Sequence, residues 1–402
     1  MKVLTDPTKF GDVKIRLVEN ADRRVGSLLE KLKYLKRLLF NQTYTTVEDC
    51  YEFDEKSSLP FVSVIIASKR ERSTLLQCLS SLENQDYPKK LYEVIVASVN
   101  PYNIDKPEIL IRNIVCGAAN QAEARNIAVR YAKGDILAFC DDDCILPPGW
   151  LRSGVRHFKN KEVAVVGGPA KPPIEGVLFG QILAGLIHMS YLGVGSHSLA
   201  FFNHGKTKPF FCRPTHIIGA NMFVDRKKFE EVGGFGQHVP QEEERLNNKL
   251  LERGYKLVYD PHHICTHFQR GFGFKFLKNI FWLAKGSGKF CKENFAALNK
   301  LYLIPPIFTL GIFISPFSIV FPFFNFPYQV IASLYIFVVV IESIRLAMKN
   351  VKRLRAKILT FSVLPVCFFL HHFTFGLGFI VGLISKRGNA SMGVKRNKNA
   401  LP

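Results

Sequence analysis

Three apolar stretches, residues 302–324, 327–347 and 358–384, set the outer limit on what this chain can fold into. Each exceeds the ~20 residues that a helix needs to cross a bilayer. Backbone groups in hydrocarbon must bond within their own segment, so these stretches are expected to be helices in a membrane. Lys349, Lys352, Arg353, Arg355 and Lys357 lie between the second and third stretches. Positive charge stays on the cytoplasmic side, so that linker, and with it residues 1–300, is expected in the cytoplasm. The third stretch leaves two readings open. One crossing sends the C-terminus outward, whereas Lys386, Arg387, Lys395, Arg396 and Lys398 favour the inside. His371-His372 in mid-stretch fits a re-entrant hairpin. Residues 301–385 are therefore read as two to four membrane segments, followed by a basic tail, 386–402.

The charge balance narrows the partners. The chain has 54 Lys+Arg against 33 Asp+Glu, a net of +21 over 402 residues. Such an excess calls for an anionic partner: nucleic acid, anionic lipid or a phosphorylated substrate. Nucleic acid is disfavoured, because no recognition motif is present and the charge flanks membrane segments. Residues 271–300 mix Phe272, Phe274, Phe276, Phe281 and Trp282 with lysines, the pattern of a helix in the headgroup layer. Residues 1–58 form a polar extension, in which 25–40 has leucines at helical spacing between lysines. Either an amphipathic surface helix or an ordinary packed helix fits that stretch. The first nineteen residues are charged throughout and contain no apolar signal-peptide core. Nine cysteines occur without a CxxC pair, so reduced core thiols are expected rather than a zinc ribbon or a disulfide framework.

Residues 59–270 alternate short apolar runs with helical patterns. Strands are expected at 61–67, 93–97, 108–111, 136–140 and 163–166, with helices at 75–82 and 122–132. That alternation predicts a doubly wound, mainly parallel α/β sheet. The strand at 136–140 runs into Asp141-Asp142-Asp143. Ligands of open α/β sheets bind at the carboxyl ends of the strands. Clustered carboxylates repel one another and favour a hard divalent cation, Mg²⁺ or Mn²⁺, which in turn favours a phosphate-bearing substrate. A solvated acidic turn is the plainer alternative.

Further motifs stand in order around the triplet. Val64-Ile65-Ile66-Ala67-Ser68-Lys69-Arg70 opens the series, followed by Gln85-Asp86-Tyr87-Pro88, Ala124-Arg125-Asn126 and Gly134-Asp135. Pro148-Gly149-Trp150-Leu151, Gly219-Ala220-Asn221-Met222, Gly233-Gly234-Phe235, Glu242-Glu243-Glu244-Arg245-Leu246 and Val258-Tyr259-Asp260-Pro261 come after it, with His267 last. This ordered series resembles the family 2 glycosyltransferases, which have the GT-A fold, over about half of the chain. The resemblance implies an inverting, hexosyltransferase-type enzyme that takes a sugar from a nucleotide-sugar donor to a lipid-linked or membrane-proximal saccharide acceptor.

Roles carry over residue by residue. Asp141 and Asp143, with His267, match the metal-binding positions. Ala67, Ser68, Arg70, Ser98, Arg125, Asp141 and Asp142 match donor-binding positions. Alternation along an extended chain turns Asp142 away from its two neighbours. Gly219 and Asn221 match the acceptor side. Glu243, with Glu242 beside it, matches the general base that accepts the acceptor's proton. Acids here also suit a helix N-terminus, and the choice among Glu242, Glu243 and Glu244 stays open. Two departures matter. Ala97-Ser98-Val99-Asn100 lacks the carboxylates that the family has after strand two. Gln269-Arg270-Gly271 does not match the QxxRW motif of processive synthases, so transfer of a single sugar is expected. A catalytically inactive relative that scaffolds polysaccharide assembly is the alternative that the first departure favours.

Overall fold

The computed structural model describes residues 45–47, 59–68, 73–102, 109–118, 120–236, 241–293, 295 and 300–385. The 25–40 segment, Lys69, Arg70 and the basic tail lie outside them. Strand β1 (Val62–Ser68) leads into helix α1 (Ser73–Glu83), then β2 (Tyr92–Ser98), β3 (Leu110–Val115) and α2 (Gln121–Val129). Next come β4 (Ile136–Asp141), the short β5 (Cys144–Ile145), α3 (Trp150–Val155), β6 (Val163–Gly167) and β7 (Ala170–Lys171). Helices α4 (Phe179–His188) and α5 (Tyr191–Val194) precede β8 (Phe210–Phe211), β9 (Asn221–Asp225) and α6 (Arg226–Glu231). The domain closes with α7 (Glu242–Glu252), β10 (Lys256–Tyr259) and β11 (Cys265–His267).

Eight strands form one sheet in the order β3-β2-β1-β4-β9-β6-β10-β8. β1 pairs in parallel with β2 and β4, β2 with β3, and β6 with β10. Central strands of a parallel sheet are covered on both faces, so they read as continuous apolar runs. That is why VSVIIAS and ILAFCD are buried almost throughout. β9 departs from the parallel pattern. It runs antiparallel between β4 and β6, a placement that follows from a return of the chain and not from any local signal. A second small sheet, β5-β11-β7, lies at the carboxyl end of β4 and places His267 beside the triplet. Trp150 anchors the core beneath: its Nε1 donates to Asn221 Oδ1 (2.8 Å), and its ring meets Phe223 edge-on at 4.6 Å.

Four helices follow: α8 (Phe274–Glu293), α9 (Ile304–Val320), α10 (Pro322–Asn350) and α11 (Leu354–Ile384). Three helical segments, Lys300–Phe317, Asn325–Asn350 and Leu354–Ile384, are long and apolar enough to cross a membrane. α11 is one unbroken helix, so the re-entrant hairpin suggested by His371-His372 is not formed. These histidines instead reach the backbone carbonyls of Gly193 and Leu192, at 3.1 and 2.8 Å. These carbonyls take up the Nε2 of each histidine without breaking the helix. α8 and α11 touch backbone to backbone: a Cβ at Gly288 would fall 2.2 Å from Phe379 O, and one at Gly382 2.3 Å from Lys285 O. Small residues permit such close helix approach.

Candidate active site

β4 delivers Asp141 at its last position, in register with Ala67 of β1, and the chain turns at Asp142-Asp143. Each carboxylate takes a different partner. Asp141 Oδ1 accepts from Gln121 Nε2 (2.6 Å) and Arg125 Nη2 (2.8 Å). Asp142 Oδ2 accepts from Ser68 Oγ (2.6 Å) at the end of β1. Asp143 Oδ1 pairs with His267 Nε2 (3.1 Å), and Asp141 Oδ2 lies 3.6 Å from the same nitrogen. His267 thus joins Asp141 and Asp143, while Asp142 turns to the β1 side.

Arg125 connects this cluster to the acids of α7. It is almost wholly buried, and its Nη1 donates to Glu243 Oε1 at 2.8 Å. Burial works against the guanidinium charge, but Asp141, Glu243 and Glu242 outweigh it and hold it protonated. A charged fork bonded to two carboxylates through two nitrogens is the strong form of ion pair. The backbone N–H of Gly219 adds a second bond to Glu243 Oε1 (3.2 Å). A Cβ at Gly219 would fall 2.4 Å from Arg125 Nη1, so only glycine lets the chain pass this close. Asn126, next to Arg125, clamps the Gly233-Gly234-Phe235 turn: its amide donates to Phe235 O (2.6 Å) and accepts from Phe235 N (3.1 Å).

The three glutamates open α7. Acids in a first turn meet unsatisfied N–H groups and the positive end of the macrodipole. Their environments differ. Glu243 is about one-fifth exposed, and no hydrogen bond reaches its Oε2 among the described residues. Burial, then the Glu243 charge, push Glu242 up to about 7. Burial pushes Glu244 up to about 7 as well. Gln241, just before them, has a left-handed backbone (φ 88°), and its Nε2 donates to Ser287 Oγ on α8. For a non-glycine residue that conformation costs of order 1–3 kcal/mol and persists where surrounding contacts impose it.

The Glu244 shift gives a stability prediction with a definite sign. A carboxyl raised in the folded state favours the protonated form, so its ionisation destabilises the fold as pH climbs from the ordinary value, 4.5, through about 7. Glu244→Gln removes that ionisation. Its thermal stability in detergent should match the wild type near pH 4 and exceed it by roughly 1–3 kcal/mol above pH 7. An equal difference at both pH values would contradict the assignment.

The donor set suits a divalent ion. His267 Nε2, Asp143 Oδ1 and Asp141 Oδ2 face one another, two carboxylates and one imidazole that together can ligate a divalent cation. Burial opposes charge on His267, but the groups around it, Cys144, Asp143 and Asp141, hold its pKa up to about 10. A dication placed among these carboxylates would displace that proton. Asp143, Cys144 and His267 also bring ligand atoms within 4.8 Å of one another. The Cys144 thiol is fully buried, its Sγ lies 3.6 Å from Ala220 O, and burial with the neighbouring Cys265 raises its pKa well above the ordinary value. A protonated thiol is a poor ligand for a hard cation, so the carboxylates and His267 are the better set.

Residues 63–233 match the family model described as Glycosyl transferase family 2. The chain carries a family 2 glycosyltransferase domain. Glycosyltransferase AglE of Haloferax volcanii is 26% identical over 275 residues, covering 65% of this chain and 84% of the relative. A dolichyl N-acetyl-alpha-D-glucosaminyl phosphate 3-beta-D-2,3-diacetamido-2,3-dideoxy-beta-D-glucuronosyltransferase of Methanococcus voltae is 23% identical over 356 residues, 82% of this chain and 99% of that one. The solved mannosyltransferase PcManGT from Pyrobaculum calidifontis, in complex with GDP-Man and Mn²⁺, superposes with a TM-score of 0.51 at 18% identity, over 91% of this chain and 96% of that one. The GT-A fold follows, and the chain is a glycosyltransferase.

Other sequence candidates of the transferase fall in different places. Ala67 and Ser68 end β1 at the triplet. Ser98 ends β2, buried, with its Oγ 2.6 Å from Asn100 O and 2.7 Å from Asn113 Oδ1. Gly219 lies beside Glu243, as above. Asn221 does not face an acceptor: it is fully buried, and its amide is committed to Trp150, Pro169 O and His263 O. An asparagine here ties β9 to the loops around it. Gln121 was missed. It sits four residues before Arg125 on α2, a spacing that puts both side chains on one helix face.

Proposed function

We propose that this glycosyltransferase is inverting and divalent-cation dependent, and moves one sugar from a nucleotide-sugar donor to a hydroxyl of a lipid-linked acceptor, with its catalytic domain on the cytoplasmic side. The observation that carries this reading is Arg125, which holds Asp141 and Glu243 on one guanidinium. A cation-binding carboxylate and a carboxylate available as base are thereby fixed next to each other. That is what displacement at a sugar carbon requires: a neutralised leaving group on one side and a proton acceptor on the other. Asp141, Asp143 and His267 would hold the ion, which supplies charge neutralisation for a departing diphosphate. Glu243, held in place by Arg125 and the Gly219 N–H, accepts the proton of the acceptor hydroxyl. Glu242, protonated below about 7, stands beside it without competing for that proton. The Methanococcus relative's name specifies a dolichyl-phosphate-linked sugar as acceptor and the Pyrobaculum complex holds GDP-Man and Mn²⁺, and both support this choice of substrates.

The test is a panel of nucleotide sugars incubated with membranes that contain the full chain, reading out sugar in the lipid phase. One donor should label the lipid fraction, and chelation should abolish the label until Mn²⁺ or Mg²⁺ is restored. Asp143→Ala should lower transfer by about 10²-fold or more. Full activity in EDTA would remove the cation from the reaction. Labelling of no lipid by any donor would remove the acceptor class.

A further inference from the structure

α11 has the composition of a membrane span, yet protein lines one side of it from end to end: α4, α5 and α10 along its first half, and α8 and α9 along its second. Thr360, Leu364, Phe368, His371, Phe379 and Gly382 recur at helical spacing and are buried. They form one continuous protein-facing stripe. On the other side Leu359 (51% exposed), Val366 (57%), Phe369 (40%) and Ile384 (78%) form an apolar face left largely exposed among the described residues.

The contacts of the buried stripe fix both ends. Just before α11, Lys352 pairs with Glu175 at 2.8 Å, in the loop after β7. Leu364 and Phe368 pack on Leu183, Leu186 and Ile187 of α4. At the middle, His371 and His372 bond to the backbone of α5. At the far end, Gly382 meets α8, and Lys292 Nζ of α8 donates to Ser385 O. Glu293, next to Lys292, pairs with Arg245 of α7 at 2.8 Å. Glu175 and Arg245 belong to one domain around one sheet. A 31-residue helix is about 46 Å long, more than the ~30 Å of bilayer hydrocarbon. Were it to cross, its two ends would meet water on opposite faces, and one domain would have to supply charged partners on both.

We propose that α11 lies in the plane of the membrane beneath the catalytic domain, with its outer face in the headgroup–acyl boundary, so that only α9 and α10 cross. The C-terminus then stays on the side of the catalytic domain. The sequence charges agree. Lys349, Lys352, Arg353, Arg355 and Lys357 precede α11, and Lys386, Arg387, Lys395, Arg396 and Lys398 follow it. An in-plane helix keeps both clusters against the anionic leaflet, whereas a crossing helix places one of them on the wrong side.

The test uses the full chain in lipid nanodiscs, with spin labels at Leu359→Cys, Val366→Cys, Phe369→Cys or Ile384→Cys, and label depth read from collision with oxygen against a water-soluble nickel chelate. All four should report similar shallow depths, about 5–10 Å below the headgroups. Val366 and Phe369 lying deep, with Leu359 and Ile384 shallow, would overturn the proposal. A C-terminal epitope tag on the otherwise unaltered chain gives a second reading in sealed vesicles. Protease should remove the tag whenever it digests the catalytic domain, and protection of the tag under those conditions would also overturn it. Neither reading depends on sugar transfer, so either result leaves the reaction assignment untouched.

Discussion

Arg125→Leu should lose both stability and activity. The guanidinium is nearly inaccessible and bonds to Asp141 and Glu243, each about one-fifth exposed. Removing one partner of a buried charge cluster leaves the others uncompensated, which costs on the order of 3–5 kcal/mol. Here the leucine leaves two carboxylates facing each other with one N–H, from Gly219, between Glu243 and open repulsion. Thermal unfolding in detergent should move down by several degrees, and sugar transfer should fall to background. Arg125→Lys separates the two effects. Lysine keeps the charge but has no planar fork, so it serves one carboxylate at a time. Most of the stability should return while transfer stays at least ~10²-fold below wild type. A lysine variant with wild-type transfer would show that positive charge alone is needed and that the two-carboxylate bridge is not.

Legibility of this site in the sequence tracks how local each constraint is. The parallel strands were readable because burial on both faces leaves only apolar residues, as in β1 and β4. β9 was not, because an antiparallel return between β4 and β6 depends on chain routing across more than eighty residues. Alternation along the chain already separated Asp142 from Asp141 and Asp143, but not the partner it turns to, Ser68 at the end of a strand 74 residues away. Arg125 was placed among the donor-binding residues by family likeness. Its contact with Glu243 joins positions 118 residues apart, and no spacing rule reaches that far. Asn221 illustrates the opposite error. A polar residue in a family motif was read as substrate-facing, when its amide satisfies Trp150 and two buried carbonyls. Buried polar groups require partners, and sequence alone does not tell that need from recognition. The same holds for His371 and His372, whose partners are carbonyls of a segment far away in the chain.

Glu243→Gln should lower the turnover of the transferase by about 10²–10⁴-fold with little change in stability. The amide oxygen of glutamine can still accept from Arg125 and Gly219, so the frame around it survives while the proton acceptor is lost. Donor KM should stay within a few-fold, because the donor end of the site, Asp141 and Asp143 with His267, is untouched. Glu242→Gln provides the contrast. Glu242 is buried and its pKa lies near 7, so near neutrality much of it is already the uncharged acid that glutamine mimics. Its turnover should stay within roughly tenfold of wild type below pH 7, the range of groups that do not carry the proton. Were Glu242→Gln the variant that loses turnover, with Glu243→Gln near wild type, the base would be Glu242 and the Arg125 bridge would serve only to orient Glu243 beside it.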